Sequence, residues 1–204
     1  MIDDDIDVLD EPALLHAATL VPDLNKKVKL YNKAISKFDS DAARFNLGVA
    51  YLNAGDLNNA SKAFANVETK DAELNNALGV IALRKGDYAT ASDYFKKAGT
   101  DVAKANQGVI DILSGNYEKA VENLKDAPGC CHNTVLAYLL TNQYDKALKA
   151  AHCKDPKVTY LKAVIAARQG NMDEVKANLD IVAQQDKELF ARAQKDVEFA
   201  EYFK

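Results

Sequence analysis

The side chains with the most reactive potential lie in two short strings, Cys130-Cys131-His132 and His152-Cys153. Together these hold all three cysteines and two of the three histidines of the chain. Thiolates and imidazoles serve as metal ligands, as nucleophiles and, for sulfur, as disulfide partners, so three chemistries compete. A disulfide from Cys153 to either Cys130 or Cys131 would close a loop of about 22 residues and contribute about 3 kcal/mol through chain entropy. Free thiols in a reducing compartment would be ordinary core material. A Cys/His metal site has ligand types that suit zinc, but the Cys-x-x-Cys spacing of structural zinc sites is absent. The sequence leaves these three open, and the odd third cysteine counts against simple pairing.

Other catalytic groupings are missing from the string of residues. No catalytic Ser-His or Cys-His arrangement is legible, and no His-Glu-x-x-His or Gly-x-Ser-x-Gly string occurs. Acidic residues are plentiful, but they fall in turns or on helix faces predicted to be exposed, where nothing would set two carboxyl groups apart in acidity. The expectation is a protein that is not an enzyme and has no resident cofactor.

The elements that position these groups come from an internal repeat. Asn46-Leu47-Gly48-Val49 leads into Gly55-Asp56 and Ala60, and Asn76-Ala77-Leu78-Gly79-Val80 leads into Gly86-Asp87-Tyr88 and Ala91. Asn106-Gln107-Gly108-Val109 then leads into Gly115-Asn116-Tyr117 and Ala120. Further copies run through Asn142-Gln143-Tyr144 to Ala147 and through Ala163-Val164 to Gly170-Asn171-Met172. Each copy is an apolar-periodic stretch, a two-residue break and a second stretch, which predicts helix, tight turn, helix. The turn column Gly55, Gly86, Gly115, Asn142, Gly170 suits a helix end entering the left-handed conformation. A second column, Gly48, Gly79 and Gly108, lies inside the first helix of each pair, where glycine costs about 1 kcal/mol against alanine. Close approach of the partner helix, with its small Ala60, Ala91, Ala120 and Ala147, is the expected reason.

Composition narrows the function classes. The chain has 204 residues, is 48% hydrophobic and 27% charged, and carries a formal charge of −4 with a pI near 5.4, so no basic stripe for nucleic acid is present. No apolar run approaches the roughly 18 residues that span a bilayer. The opening MIDDDIDVLDE has five Asp in ten residues and neither a basic nor an apolar signal region. A solvated, flexible acidic tail over residues 1–10 is expected, followed by one domain over residues 11–204. The setting is expected to be periplasmic or envelope-associated if the disulfide forms, with any leader outside this sequence, and cytoplasmic otherwise.

Leu47-Gly48-x-x-Tyr51 with Ala60-x-x-x-Phe64, and Leu78-Gly79 with Ala91-x-x-x-Phe95, resemble the tetratricopeptide repeat pattern, and the likeness extends over roughly residues 24 to 182. The strings LYNKAI, NLGV and YLKAV at residues 30–35, 46–49 and 160–164 are similar to short arrays of this family in the envelopes of Bacteroidetes-type bacteria. Two departures stand out. Asp111 replaces a large apolar residue in the third copy and Val135 replaces the inner glycine in the fourth. Turn residues also recur at 31, 29, 27 and 28 positions instead of about 34. The resemblance implies an all-α fold: a right-handed α-solenoid of antiparallel helix pairs, about five to six repeats, with C-terminal capping helices over residues 186–204. Lys187 to Lys195 and Val197 to Phe203 are the expected caps.

In this family the first helices of each pair line a concave face that binds proteins or extended peptides. Carried over to matching columns, the candidate groove residues are Asn46, Val49, Asn53, Asn76, Val80, Arg84, Asn106, Val109, Asn133, Leu136, Tyr160, Val164 and Arg168. Side-chain amides beside an apolar strip would suit peptide backbone and side chains respectively. The plain alternative is that the valines are inter-repeat core and the asparagines are caps or solvated. Phe45 and Val49 stand where a terminal-carboxylate clamp would need Lys and Asn, which disfavours chaperone-tail binding. A third expectation is architectural: a rigid spacer of a larger envelope protein, its groove filled by the chain's own termini.

Overall fold

The turn between paired helices shows how local sequence sets the architecture. Gly55 (φ 80°), Gly86 (80°), Gly115 (76°), Asn142 (57°) and Gly170 (73°) all take the left-handed conformation, as the column predicts. The following N–H then reaches back to the helix: Asp56 to Tyr51 O (2.9 Å), Asp87 to Ala82 O (2.9 Å), Asn116 to Asp111 O (2.8 Å). Gln143 to Tyr138 O (2.8 Å) and Asn171 to Ala166 O (2.9 Å) repeat the bond. This is the six-to-one bond of a Schellman stop. In the Gly-Asp copies the aspartate at once caps the next helix, Asp56 accepting from Asn59 N (3.0 Å) and Asp87 from Thr90 N (3.1 Å). Stop and restart thus occupy two residues, and the second helix folds back along the first.

The computed structural model describes residues 6–127 and 131–204. Its α-helices are α1 (Glu11–Leu20), α2 (Leu24–Phe38), α3 (Asp41–Asn53), α4 (Leu57–Ala65), α5 (Ala72–Arg84), α6 (Tyr88–Ala98) and α7 (Asp101–Leu113). They continue with α8 (Tyr117–Leu124), α9 (Cys131–Leu140), α10 (Tyr144–Ala150), α11 (Pro156–Arg168), α12 (Met172–Gln185) and α13 (Lys187–Ala193). Among the described residues there is no strand. The fold is all-α and built of helix pairs, as the repeat requires. It divides into two compact units, Met1–Ala103 and Lys104–Lys204.

In the first unit, Leu14, Ala18, Leu30, Tyr31, Ala34 and Leu47 form one buried cluster, and Leu52, Ala60, Phe64, Leu74 and Ile81 form the next. The acidic opening is docked from Ile6 onward. Ile6 is buried beneath a 3-10 turn over Ile6–Val8, Asp7 pairs with Lys33, and Lys37 Nζ donates to Asp7 O and Leu9 O, both at 2.9 Å. In the second unit the largest cluster joins α9, α10, α11 and α12 to the C-terminal segment through Val135, Val158, Ile165, Leu179 and Phe199. Lys187–Ala193 forms the expected cap helix, but the second expected cap is only a 3-10 turn, Val197–Phe199, because Phe199 plugs the core directly.

The inner glycines have a different cause from the expected one. The alanines of the second helices are fully buried, but what fills the glycine notch is the large residue one turn beyond each alanine. A Cβ on Gly48 would lie 2.5 Å from the Phe64 ring, one on Gly79 2.5 Å from Phe95, and one on Gly108 2.5 Å from Leu124. Each pair is sixteen residues apart. The same register explains the departure in the fourth copy: Val135 replaces the glycine and Ala151, sixteen residues on, replaces the ring, both buried in one cluster. Large and small have changed places, which conserves volume.

Asp111 is buried and held by side-chain hydrogen bonds: Asn123 Nδ2 donates to it at 2.8 Å and Gln107 Nε2 at 3.4 Å. A buried carboxylate needs such partners.

Candidate functional site

In the first unit, α3 and α5 present one face together. Phe45, Val49 and Leu52 of α3 and Asn76, Ala77 and Val80 of α5 line an open depression of about 440 Å³, closed at its edge by Thr100 and Val102. Helical spacing puts Phe45, Val49 and Leu52 on one stripe. Phe45 is held there by its contact with Phe64, ring centroids 5.5 Å apart. The ring that fills the Gly48 notch therefore also props the wall of the depression. A neighbouring hollow of about 380 Å³ shares Phe45 and Glu73 and is lined by Asn46, Asp41 and Asp71. Asp41 accepts from the backbone N–H groups of Glu68 (2.7 Å) and Thr69 (3.0 Å), and these bonds hold its carboxyl below the ordinary carboxylate value. Asp71 caps α5 by accepting from Leu74 N at 2.8 Å.

Of the candidates in this unit, Val49, Asn76 and Val80 share the larger depression and Asn46 lines its neighbour. Asn53 is exposed beside the turn. Arg84 serves to pin the two repeats together: its Nη1 donates to Leu52 O at 2.6 Å, satisfying a carbonyl at the end of α3. Phe45, Thr100 and Val102 were not assigned to the groove by the repeat columns. For Phe45 the stripe spacing with Val49 is a usable signal.

In the second unit, Asn106 and Val109 on α7 and Asn133 and Leu136 on α9 are half-buried. The candidates on α11 do not face an open groove. Val164 is buried, and Tyr160 and Arg168 are occupied by the C-terminal segment. The Tyr160 hydroxyl bonds to Asp196, its ring meets Phe199 edge-on at 5.5 Å, and Arg168 Nε donates to Glu198 Oε1 at 3.0 Å. Burial, joined by the Asp196 bond, pushes the Tyr160 phenol well above its usual range. Here the chain's own terminus fills the face, because α11 otherwise ends the stack with an apolar stripe uncovered.

The cysteines come together as antiparallel pairing demands. Cys131 opens α9, Cys153 follows the end of α10, and the two sulfurs stand at disulfide distance with Cα atoms 6.3 Å apart. The partner of Cys153 is thus Cys131, while Cys130 lies outside the described residues. The Cys131 backbone N–H donates to Cys153 Sγ at 3.3 Å. A His152 ring nitrogen and both sulfurs all lie within 4.8 Å of one another. His132 points elsewhere, its Nδ1 3.8 Å from Asp155 Oδ2, and burial lowers its pKa against the opposing pull of that carboxylate.

The tetratricopeptide repeat family model matches residues 45–105. No curated protein matches the chain in sequence. Among solved structures, that of PilF from Pseudomonas aeruginosa is similar with a TM-score of 0.70 at 12% identity, covering 94% of this chain and 96% of that one. A tetratricopeptide repeat protein from Parabacteroides merdae gives 0.66 at 13% identity, covering 89% and 82%. The MamA protein gives 0.53 at 19% identity, covering 74% and 91%. At these identities the likeness is one of fold.

Proposed function

We propose that this chain, which matches the tetratricopeptide repeat family over residues 45–105 and is similar in fold to a solved protein of that family beyond them, holds an extended peptide segment of a protein partner in the α3–α5 depression. Proteins of this family are in general interaction scaffolds and not enzymes. The observation that carries the finer reading is the open apolar stripe of Phe45, Val49 and Val80 with Asn76 beside it. Apolar walls take side chains, while an amide offers donor and acceptor to the peptide backbone. The second unit favours an architectural role, since its α11 face is closed by the chain's own Asp196, Glu198 and Phe199. A disulfide across α9 and α10 fits an oxidising, periplasmic or envelope setting. No helix among the described residues is long and apolar enough to cross a membrane.

The experiment is an array of extended peptides probed with the whole chain and with a Val80→Glu variant. Val80 is only half-buried, so the variant should keep its helical circular dichroism. Binders that the variant loses support the α3–α5 face. Binders retained undiminished by a folded variant would sink this assignment.

A further inference from the structure

We propose that Cys131, Cys153 and His152 are a metal site of the reduced protein: once the Cys131–Cys153 bond is opened, two thiolates and an imidazole take one zinc ion. The three ligand atoms already lie within 4.8 Å of one another. Tetrahedral zinc, with bonds of about 2.3 Å to sulfur and about 2.0–2.1 Å to nitrogen, needs ligand atoms roughly 3.5–3.8 Å apart. A Cα separation of 6.3 Å lets the sulfurs part to that spacing by side-chain rotation alone. His152 is exposed, so its ring is free to turn and an ion has a path inward.

The surroundings suit anionic sulfur. Cys131 is the first residue of the ten-residue α9, whose N-terminal dipole favours negative charge. The Cys131 N–H already donates to Cys153 Sγ, the kind of outer bond that steadies a metal thiolate. Two ligands come from the end of α10 and one from the start of α9, so the ion would fasten the same hairpin that the disulfide fastens. The hairpin is then cross-linked in both redox states.

The chemistry balances. A dithiol reductant delivers two electrons and two protons, becoming a disulfide while Cys131 and Cys153 become thiols. Zinc then displaces one proton from each thiol to solvent with no further change at sulfur, and water completes the tetrahedron.

The test uses the full chain, reduced with a dithiol, desalted without oxygen and titrated with Co²⁺ as a visible stand-in, then with Zn²⁺. Expected are sulfur-to-cobalt charge-transfer and tetrahedral d–d bands that saturate at one equivalent, bleach with one equivalent of zinc and are absent from the oxidised chain. Cys131→Ser and Cys153→Ser should lose them, and Cys130→Ser should keep them. His152→Ala, at an exposed position that leaves folding intact, should bind more than about tenfold more weakly. The proposal is overturned by reduced wild type without the bands, by bands surviving Cys153→Ser, by bands that depend on Cys130, or by undiminished affinity in His152→Ala.

Discussion

The Cβ that Gly48 lacks would lie 2.5 Å from Cε1 of Phe64, so this glycine is a socket for a ring. Phe64 is 1% exposed and braced by Phe45, which leaves it nowhere to retreat. Two effects oppose each other in Gly48→Ala: helix propensity favours alanine by about 1 kcal/mol, while overpacking costs about 1–3 kcal/mol. With an immobile ring the clash prevails, and a net loss of up to about 2 kcal/mol is expected in urea denaturation. Trimming the ring in Gly48→Ala/Phe64→Leu should cost less than the sum of the single changes. A fully additive double variant would refute the socket.

Reduction should soften the fourth repeat. The Cys131–Cys153 link closes a separation of 22 residues, and opening it in metal-free buffer should cost about 3 kcal/mol of stability. Thiol counting on the denatured, unreduced chain should find one reactive thiol among the three cysteines. Three would exclude the link.

The C-terminal segment should hold mainly through Phe199. Phe199→Ala removes a ring that is 1% exposed and should cost about 3–5 kcal/mol. Glu198→Ala breaks an ion pair whose side chains are 32% and 27% exposed, and should cost no more than about 1 kcal/mol. Equal losses in guanidinium unfolding would contradict this order.

Asp41 should couple stability to acid. Its folded-state pKa lies below the ordinary 3.8 because two backbone N–H groups donate to the carboxylate. The stability it adds is therefore complete above the unfolded value and is lost as pH falls through the folded one. Asp41→Asn should be less stable than wild type near neutrality, with the gap closing below about pH 4. A gap that stays constant down to full protonation would show that the charge plays no part.

How much of this was legible in the sequence follows the range of the forces involved. The stops at Gly55, Gly86, Gly115, Asn142 and Gly170 were readable because a left-handed residue and a capping aspartate act within one turn of chain. Helix pairing followed, since a two-residue break returns the chain on itself. The occupant of the Gly48 notch was not readable from the alanine column, because packing depends on which side chain of the facing helix reaches it in three dimensions. The same holds for Tyr160 and Arg168, whose repeat positions match a groove but whose neighbours, Asp196 and Glu198, arrive from some 30 or more residues away. The sequence by itself determined the helices, their stops and the meeting of Cys153 with the start of α9. Tertiary packing alone decided that Cys131 receives it, that Phe64 fills the glycine and that the chain's own end covers α11 while the α3–α5 face stays open.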